Sequence, residues 1–353
     1  MGNSSEPSSD ELKLLHSRHA KYFQRTLAVL PCSLASFDTQ RVTIAFFAIS
    51  GLDVLDRLES IAESQPHIVD WLYSCLVTSP EDDKISRSGW RGSTTIKLSE
   101  SSLPSHEHDQ GHIAMTYTAL ATLVILGDDL SRVPRTSVLA GVRALQLPDG
   151  SFRAALGGGE NDMRFLYCAA CVCTILNDWA GMDVELAVRY VLASLSYEGG
   201  VGQGPGLEAH GGSTFCAVAA LSLMGRLGDL GQARLDRLTA WCVHRQVAGS
   251  GYMGRPNKPE DTCYSFWVGA TLAILGRLDM TDTRASRKFV LSTQDPVIGG
   301  MAKWIDTNVD PLHTYMGLSG LSLQGEEGVA MVDPCLNISL RAKCWLQSLH
   351  GTW

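Results

Sequence analysis

A repeat of about 50 residues is the feature of this sequence that most restricts its fold. Five apolar stretches rich in small residues begin at His112, Asp162, His210, Asp261 and Asp310. Successive starts are 50, 48, 51 and 49 residues apart. A sixth stretch begins at Arg41, provided that residues 78–110 carry an insertion. Repeats of this length are typical of arrays in which every unit is one supersecondary structure.

Each repeat contains two helical segments and a turn. The apolar stretch is hydrophobic around most of its circumference, which predicts a helix buried on several sides. A more charged segment follows, such as residues 183–194, with apolar residues on one face only. Glycine-containing turns lie at residues 146–152, 197–201, 246–252 and 294–301. Six pairs of inner and outer helices predict an all-α, closed α6/α6 barrel, or α/α toroid, as a single domain over residues 11–353.

The order of elements places all six inner-helix starts at one mouth of this barrel, because each turn precedes its inner helix. Polar residues occupy the first turn of these helices, and apolar residues follow. The pattern predicts a funnel that is polar at the rim and apolar inside.

Composition excludes several classes of protein. The formal charge of -8 argues against general binding to nucleic acid. No stretch approaches the roughly 18 consecutive apolar residues of a membrane-spanning helix. Residues 1–10 are rich in serine and acidic residues, which predicts a flexible N-terminus without a secretory signal. The ten cysteines form no regular framework, so we expect reduced thiols and a cytoplasmic location.

Two helix starts carry candidate metal ligands. Asp261 and Cys263 begin the fifth repeat, and His313 belongs to the sixth. Three ligands of oxygen, sulfur and nitrogen type leave a fourth position open, as in a catalytic zinc site. The spacing also fits a capping aspartate, a core cysteine and an isolated histidine, because no compact Cys-x-x-Cys pair is present.

Basic residues at the same rim form a candidate anion site. His210, Arg255, Lys258 and Tyr264 converge beside inner-helix N-termini, where free N–H groups favour negative charge. A diphosphate would fit this cluster, and Lys303 on the next turn supplies a further cation. The alternative is a solvated basic loop.

Aromatic residues recur in the second turn of the inner helices. They are Phe47, Tyr117, Tyr167, Phe215 and Trp267. Such a stripe fits aromatic core packing, and it also fits the lining of a central cavity. The sequence pattern alone leaves both interpretations open.

The chain resembles the β subunits of protein prenyltransferases, and most closely the β subunit of type I protein geranylgeranyltransferase. The most specific matching segments are residues 126–133, 161–165, 210–216 and 254–267. The resemblance implies an enzyme that works as an obligate heterodimer with a helical-repeat α subunit. It implies transfer of a C20 isoprenoid from geranylgeranyl diphosphate to the cysteine of C-terminal Cys-aliphatic-aliphatic-Leu motifs, on acceptors such as small GTPases.

The resemblance also implies roles for individual residues. One zinc ion per heterodimer would bind Asp261, Cys263 and His313, with Lys303 as a further catalytic residue. The lipid diphosphate would bind in a segment made of His210, Gly211, Gly212, Arg255, Pro256, Asn257, Lys258, Tyr264, Ser265, Phe266 and Trp267. The lipid and peptide pocket would include Thr43, Phe47, His112, Tyr117, Arg164, Tyr167, Cys216, Leu312 and Met316.

Three positions bear on the subtype within this family. The farnesyl enzyme carries a bulky Trp where Thr43 stands, so the smaller residue leaves room for a C20 chain. It also carries a magnesium-binding Asp where Lys303 stands, so magnesium is expected not to be required. Met316 replaces the Phe that is usual in the type I enzyme. The alternatives are a type II geranylgeranyltransferase or farnesyltransferase β subunit, or a non-catalytic α/α barrel that serves as a binding module.

Overall fold

The computed structural model describes residues 12–79, 85–97 and 109–352. The predicted flexible N-terminus, residues 1–10, lies outside these residues. Within them the chain forms thirteen α-helices. These are α1 His16–Ala28, α2 Arg41–Val54, α3 Gln65–Ser74, α4 Ile113–Ile125, α5 Arg135–Ala144, α6 Met163–Ile175, α7 Val184–Ala193, α8 Gly211–Leu223, α9 Gln232–Val243, α10 Tyr264–Ile274, α11 Thr283–Ser292, α12 Pro311–Leu323 and α13 Leu340–His350.

Six of these helices form a closed inner ring. Helix α2 packs against α4, and contacts continue through α6, α8, α10 and α12 back to α2. The inner helices are buried on nearly every side, as their all-round apolar sequence predicts; α4, for example, is buried at twelve of its thirteen positions. The predicted α/α barrel is therefore the observed fold.

The outer layer is made of amphipathic helices. Helices α1, α3, α5, α9 and α11 each contact the inner helix that follows in sequence. Helix α7 precedes α8 in the same order and buries residues from Ala187 to Val191 on one face. Helix α1 also contacts α12, so the N-terminal helix supplies the sixth outer position and closes the seam of the ring.

A repeated glutamine joins three of the four glycine turns to an outer helix. Gln146 bonds both the N–H and the carbonyl of Asp183, the N-cap residue of α7. Gln246 makes the same two bonds to Asp282 before α11. Gln294 accepts from the N–H of Leu15 at the start of α1. This shared geometry identifies α1 as the structural equivalent of α7 and α11.

Short antiparallel hairpins connect the helices. The paired strands are β1 Leu76–Val77 with β2 Gly89–Trp90, β3 Arg153–Ala155 with β4 Gly158–Asn161, β5 Met301–Ala302 with β6 Val309–Asp310, and β7 Val332–Asp333 with β8 Ile338–Ser339. The first three pairs lead towards inner-helix starts. The β7–β8 hairpin precedes α13 at the opposite end of the ring.

Three tyrosines hold the β7–β8 hairpin inside the barrel. The hydroxyls of Tyr167, Tyr117 and Tyr315 donate to the carbonyls of residues 335, 336 and 337, each at 2.8 Å. The tyrosines come from α6, α4 and α12, so one turn is attached to three inner helices. The hairpin therefore forms a floor at the end of the ring opposite the inner-helix N-termini.

Candidate active site

Each inner-helix start after α2 carries a side chain that binds the helix backbone. His112, Asp162, His210 and Asp310 are the N-cap residues of α4, α6, α8 and α12, and each accepts a hydrogen bond from a first-turn N–H. Asp261 lies at the matching place in the fifth repeat, and its Oδ1 accepts from the N–H of Cys263 at 3.0 Å. These bonds satisfy N–H groups that helices leave free, and they fix five polar side chains around one mouth.

Asp261, Cys263 and His313 form the only group of three possible metal ligands found in residues 12–79, 85–97 and 109–352. Their ligand atoms all lie within 4.8 Å of one another. Asp261 and Cys263 are buried, and His313 is half-buried. The oxygen, sulfur and nitrogen donors match those of zinc sites, and three protein ligands suit a site with an exchangeable fourth position. The donor set therefore fits a catalytic divalent metal.

His313 is oriented by two carboxylates. Its Nδ1 lies 2.6 Å from Oδ2 of Asp310, and its Nε2 lies 3.2 Å from Oδ1 of Asp261. Burial disfavours the charged imidazole, but the hydrogen bonds to Asp261 and Asp310 outweigh it and raise the pKa of His313 to about 9. Asp310 was expected only at the rim; its i, i+3 spacing from His313 is the sequence signal that could have indicated this contact.

The pKa values of the other two donors, Asp261 and Cys263, shift in opposite directions. Burial opposes ionisation of Asp261, but the hydrogen bond to His313 dominates and lowers the pKa of this carboxyl below its usual range. Burial, together with the adjacent Asp261, raises the pKa of the Cys263 thiol well above its usual value. Lys303 adds a cation, with Nζ 3.6 Å from Oδ2 of Asp261. A divalent cation would compete with the thiol proton for Cys263, whereas Asp261 is already ionised at neutral pH.

The candidate anion site adjoins this cluster. The hydroxyl of Tyr264 lies 2.8 Å from Nε2 of His210. Burial and the nearby Arg255 lower the pKa of His210. The N–H of Gly211 donates to the carbonyl of Gly254 at 2.8 Å, which joins the start of α8 to the loop that carries Arg255. The structure thus brings a tyrosine, a histidine and an arginine together beside the metal-ligand cluster.

Three of the residues predicted to bind diphosphate lie on the loop that follows Arg255, and they differ in their exposure to solvent. Pro256 is half-buried, and Asn257 and Lys258 are exposed on the loop. Asn257 has a positive φ of 62°, a conformation that asparagine tolerates better than most residues. Gly212 follows the His210 cap and accommodates its ring, since an added Cβ would lie 3.1 Å from that ring.

Two residues of the same predicted segment face away from the mouth. The hydroxyl of Ser265 donates to the carbonyl of Thr262 and lies where a Cβ on Gly320 of α12 would be. Phe266 is fully buried, with its ring 5.1 Å from that of Phe215. Neither side chain lines the diphosphate site. Successive residues of a helix point about 100° apart, so a continuous segment cannot turn every side chain towards one ligand.

The interior contains a belt of aromatic rings. Neighbouring centroids are 5.8 Å apart for Phe46 and Tyr117, 5.6 Å for Tyr117 and Tyr167, and 5.2 Å for Tyr167 and Phe215. These rings are buried, whereas Phe47 and Trp267 are only half-buried. Both interpretations of the stripe therefore apply, since most of its rings form core and two remain accessible inside the ring of helices.

The remaining pocket residues divide between the mouth and the floor. At the mouth, the Thr43 hydroxyl lies 3.2 Å from the sulfur of Met115, and Leu312 is half-buried. Met316 is buried, with its sulfur 3.9 Å from Nδ2 of Asn337 in the floor turn. Cys216 is also buried, and burial raises the pKa of its thiol.

His112 and Arg164 lie at the rim between α4 and α6. The His112 ring contacts Phe165 edge-on, with centroids 6.1 Å apart. Nη2 of Arg164 lies 2.6 Å from Oδ2 of its own helix cap, Asp162, and the side chain also pairs with Glu160. Arg164 is therefore neutralised locally and faces solvent at the rim.

The fold and the site can be compared with known proteins. The family model of the prenyltransferase alpha-alpha toroid domain matches residues 14–338. The chain belongs to this prenyltransferase family. It is 37% identical to the geranylgeranyl transferase type-1 subunit beta of Dictyostelium discoideum, over 94% of this chain and 97% of that relative. It is 38% identical to the protein of the same description from Arabidopsis thaliana, over 95% of this chain and 92% of the relative.

A solved structure supports the same prenyltransferase fold. The Candida albicans protein geranylgeranyltransferase-I complexed with GGPP matches with a TM-score of 0.83 and 23% sequence identity, over 96% of this chain and 99% of that chain. The resemblance drawn from the sequence, the enzyme class and the barrel fold are confirmed by these matches. Among the helices in the described part of the chain, none combines the length and apolarity needed to cross a membrane.

Proposed function

We propose that this chain is the β subunit of a type I protein geranylgeranyltransferase, which attaches a C20 isoprenoid to the cysteine of a C-terminal Cys-aliphatic-aliphatic-Leu motif. The observation that carries the proposal is the juxtaposition of two groups at the mouth of an apolar barrel. A set of oxygen, sulfur and nitrogen donors adjoins the pair of His210 and Tyr264, on the same rim as Arg255. Full-length similarity to two type 1 β subunits supports it.

Zinc is the metal we propose for Asp261, Cys263 and His313. The mixed donor set and the open fourth position support zinc over magnesium, which prefers oxygen ligands only. When bound, zinc would supply deprotonation of a thiol ligand at neutral pH, where a free cysteine with a pKa of ~8.5 is only a few per cent thiolate. Cys263 serves in this proposal as a metal ligand, and the nucleophile is the acceptor cysteine.

The transfer step requires stabilisation of a departing diphosphate. A bond forms between the acceptor sulfur and C1 of the lipid, and the bond between C1 and the diphosphate oxygen breaks. The diphosphate leaves with the electron pair of that bond, and the thiol proton passes to water. Arg255 and Lys258 supply charge-assisted hydrogen bonds to the anion, while Tyr264 and His210 add polar contacts. Lys303 beside Asp261 supplies the charge for which the farnesyl enzyme uses magnesium, so we propose turnover without that ion.

We propose that the space inside the barrel sets the chain length of the lipid donor. The small Thr43 and the half-buried Phe47 and Trp267 leave accessible space inside the ring. Tyr117, Tyr167 and the floor turn limit its depth. The remaining predicted pocket residues, His112, Arg164, Cys216, Leu312 and Met316, surround this space at different heights.

The partner we propose is a prenyltransferase α subunit, with small GTPases as acceptors. The relatives that match over nearly their full length are described as β subunits, and this supports a heterodimer with a second type of subunit. We further infer a cytoplasmic location. All ten cysteines are free thiols, which suits a reducing compartment.

The decisive experiment uses the purified heterodimer with an α subunit. Cys263→Ala should lose bound zinc and thioether formation while retaining geranylgeranyl diphosphate binding. Cys344→Ala is the matched control, because Cys344 is exposed on α13 far along the chain from the ligands. Native zinc content, C15 against C20 donor competition and transfer to a short Cys-aliphatic-aliphatic-Leu peptide complete the test. Full transfer by a zinc-free Cys263→Ala enzyme would contradict the proposed function.

A further inference from the structure

An acidic residue occupies the candidate diphosphate site. Oε2 of Glu208 accepts a hydrogen bond from Nη1 of Arg255 at 2.8 Å. Glu208 lies two residues before His210, at the end of the loop that leads into α8. Neither the sequence pattern nor the family resemblance assigned this carboxylate a role. It is bonded to the guanidinium that the proposed function assigns to the lipid diphosphate.

The backbone holds the two partners in fixed relation. Residues 202 and 209 form one antiparallel bridge, and residues 253 and 260 form the next. The N–H of Gly211 donates to the carbonyl of Gly254 at 2.8 Å, so the two loops are joined directly beside the ion pair. Glu208 and Arg255 are 47 residues apart, so their pairing depends on the packing of these two neighbouring loops against each other.

The pair is accessible and weak enough to exchange. The side chains of Arg255 and Glu208 are 41% and 53% exposed. Exposed ion pairs of this kind typically contribute ~0–1 kcal/mol. A diphosphate carries several negative charges and offers more acceptor oxygens than one carboxylate, so it can displace Glu208 from the guanidinium.

We propose that Glu208 is an internal counter-ion of the diphosphate site. It orients Arg255 until the lipid diphosphate displaces it, and it then repels the bound anion, which limits the retention of the diphosphate product. Glu208 acts through Arg255 and is a positioning residue. This inference rests on the proposed function, because it takes Arg255 to be a diphosphate ligand.

The test measures binding of inorganic diphosphate to the heterodimer by titration calorimetry. Glu208→Gln keeps the size of the side chain and removes its charge, and it should tighten binding by about two- to fivefold. Glu185→Gln is the matched control. Glu185 pairs with Arg226 by an exposed contact on the outer layer, so the variant changes net charge equally without touching the mouth. Binding by Glu185→Gln should remain at the native value.

A second pair of variants separates this role from a merely structural one. In an Arg255→Gln background, Glu208→Gln should change diphosphate affinity much less. Glu208 acts through the Arg255 guanidinium, and that guanidinium is absent from this background. Unchanged or weaker binding by Glu208→Gln in the Arg255-containing enzyme would overturn the inference and leave the proposed function standing. Absence of diphosphate binding by the native heterodimer would instead overturn both.

Discussion

A single methyl group at Gly254 should disable the proposed diphosphate site while leaving the barrel intact. A Cβ at this position would lie 2.1 Å from Cζ and 2.3 Å from the hydroxyl of Tyr264. Favourable contact with a carbon begins near 3.5 Å, so the end of the ring must move by about 1.5 Å. The 2.8 Å contact between the Tyr264 hydroxyl and His210 cannot survive that shift. The end of a half-buried side chain can move, so the fold should tolerate Gly254→Ala.

The expected loss follows from the contact that is removed. Displacing the Tyr264 hydroxyl also removes the hydrogen bond that we propose it donates to the diphosphate. A hydrogen bond to a charged group contributes about 1.5–3 kcal/mol, which corresponds to roughly a 10- to 150-fold decrease in kcat/KM. The assay is steady-state transfer to a peptide acceptor, with thermal unfolding measured in parallel. Gly228→Ala is the control, because nothing lies within 4 Å of a Cβ there.

Tyr264→Phe tests whether the effect passes through the hydroxyl. It should reproduce most of the loss, and the double variant should be little worse than either single one, because both changes remove the same contact. Native kinetics for Gly254→Ala, or a double variant whose losses simply multiply, would refute the reasoning.

Three further outcomes are expected. Thr43→Trp should shift donor preference towards C15 in a competition assay, because an indole would fill accessible space at the mouth; unchanged selection would remove this residue from that role. The native enzyme should turn over in zinc-containing buffer without added magnesium, with Lys303 providing the charge, and a requirement for added magnesium would contradict this. His19 accepts from the N–H of Gly300 and contacts Gln294 at 2.8 Å, and burial lowers its pKa to about 4. The unfolded chain therefore binds more protons between pH 6.5 and 4, so stability should fall by up to about 3 kcal/mol as the pH decreases through that range. Chemical denaturation at several pH values checks this, and the stability difference between the native chain and His19→Asn should narrow at low pH; a constant difference would argue against it.

The repeat allowed the barrel to be predicted because it recurs at the level of whole helix pairs. In each repeat, one helix is apolar on all sides and the next is apolar on one face only. This pattern can be recognised within a single repeat, without knowledge of contacts to distant segments. The seam of the ring carries no such local signal. Helix α1 becomes the sixth outer helix through contacts between Leu15 and Gln294, which are 279 residues apart. The floor turn was equally invisible, since its carbonyls are bound by tyrosines from three distant repeats.

The candidate site was predictable to the level of helix starts, and less so within each helix. Tyr264 and Trp267 are three residues apart on one face of α10, and both are half-buried. The intervening Ser265 and Phe266 lie on other faces of the helix and are buried. A motif read as a continuous segment does not separate these faces. The sequence carries no signal for the contact between Glu208 and Arg255, because this contact depends on which loops are neighbours.

The fifth repeat differs from the others in the way its helix begins, and two of the three candidate metal ligands lie at this helix start. In the second, third, fourth and sixth repeats a His or Asp side chain caps the helix that starts immediately after it. Asp261 instead precedes α10 by three residues, with Cys263 as the N-cap residue. Oδ1 of Asp261 accepts from the Cys263 N–H and also contacts His313, and Oδ2 of Asp261 contacts Lys303. The residue that matches the helix caps of the other repeats is therefore part of a three-donor cluster in the fifth repeat.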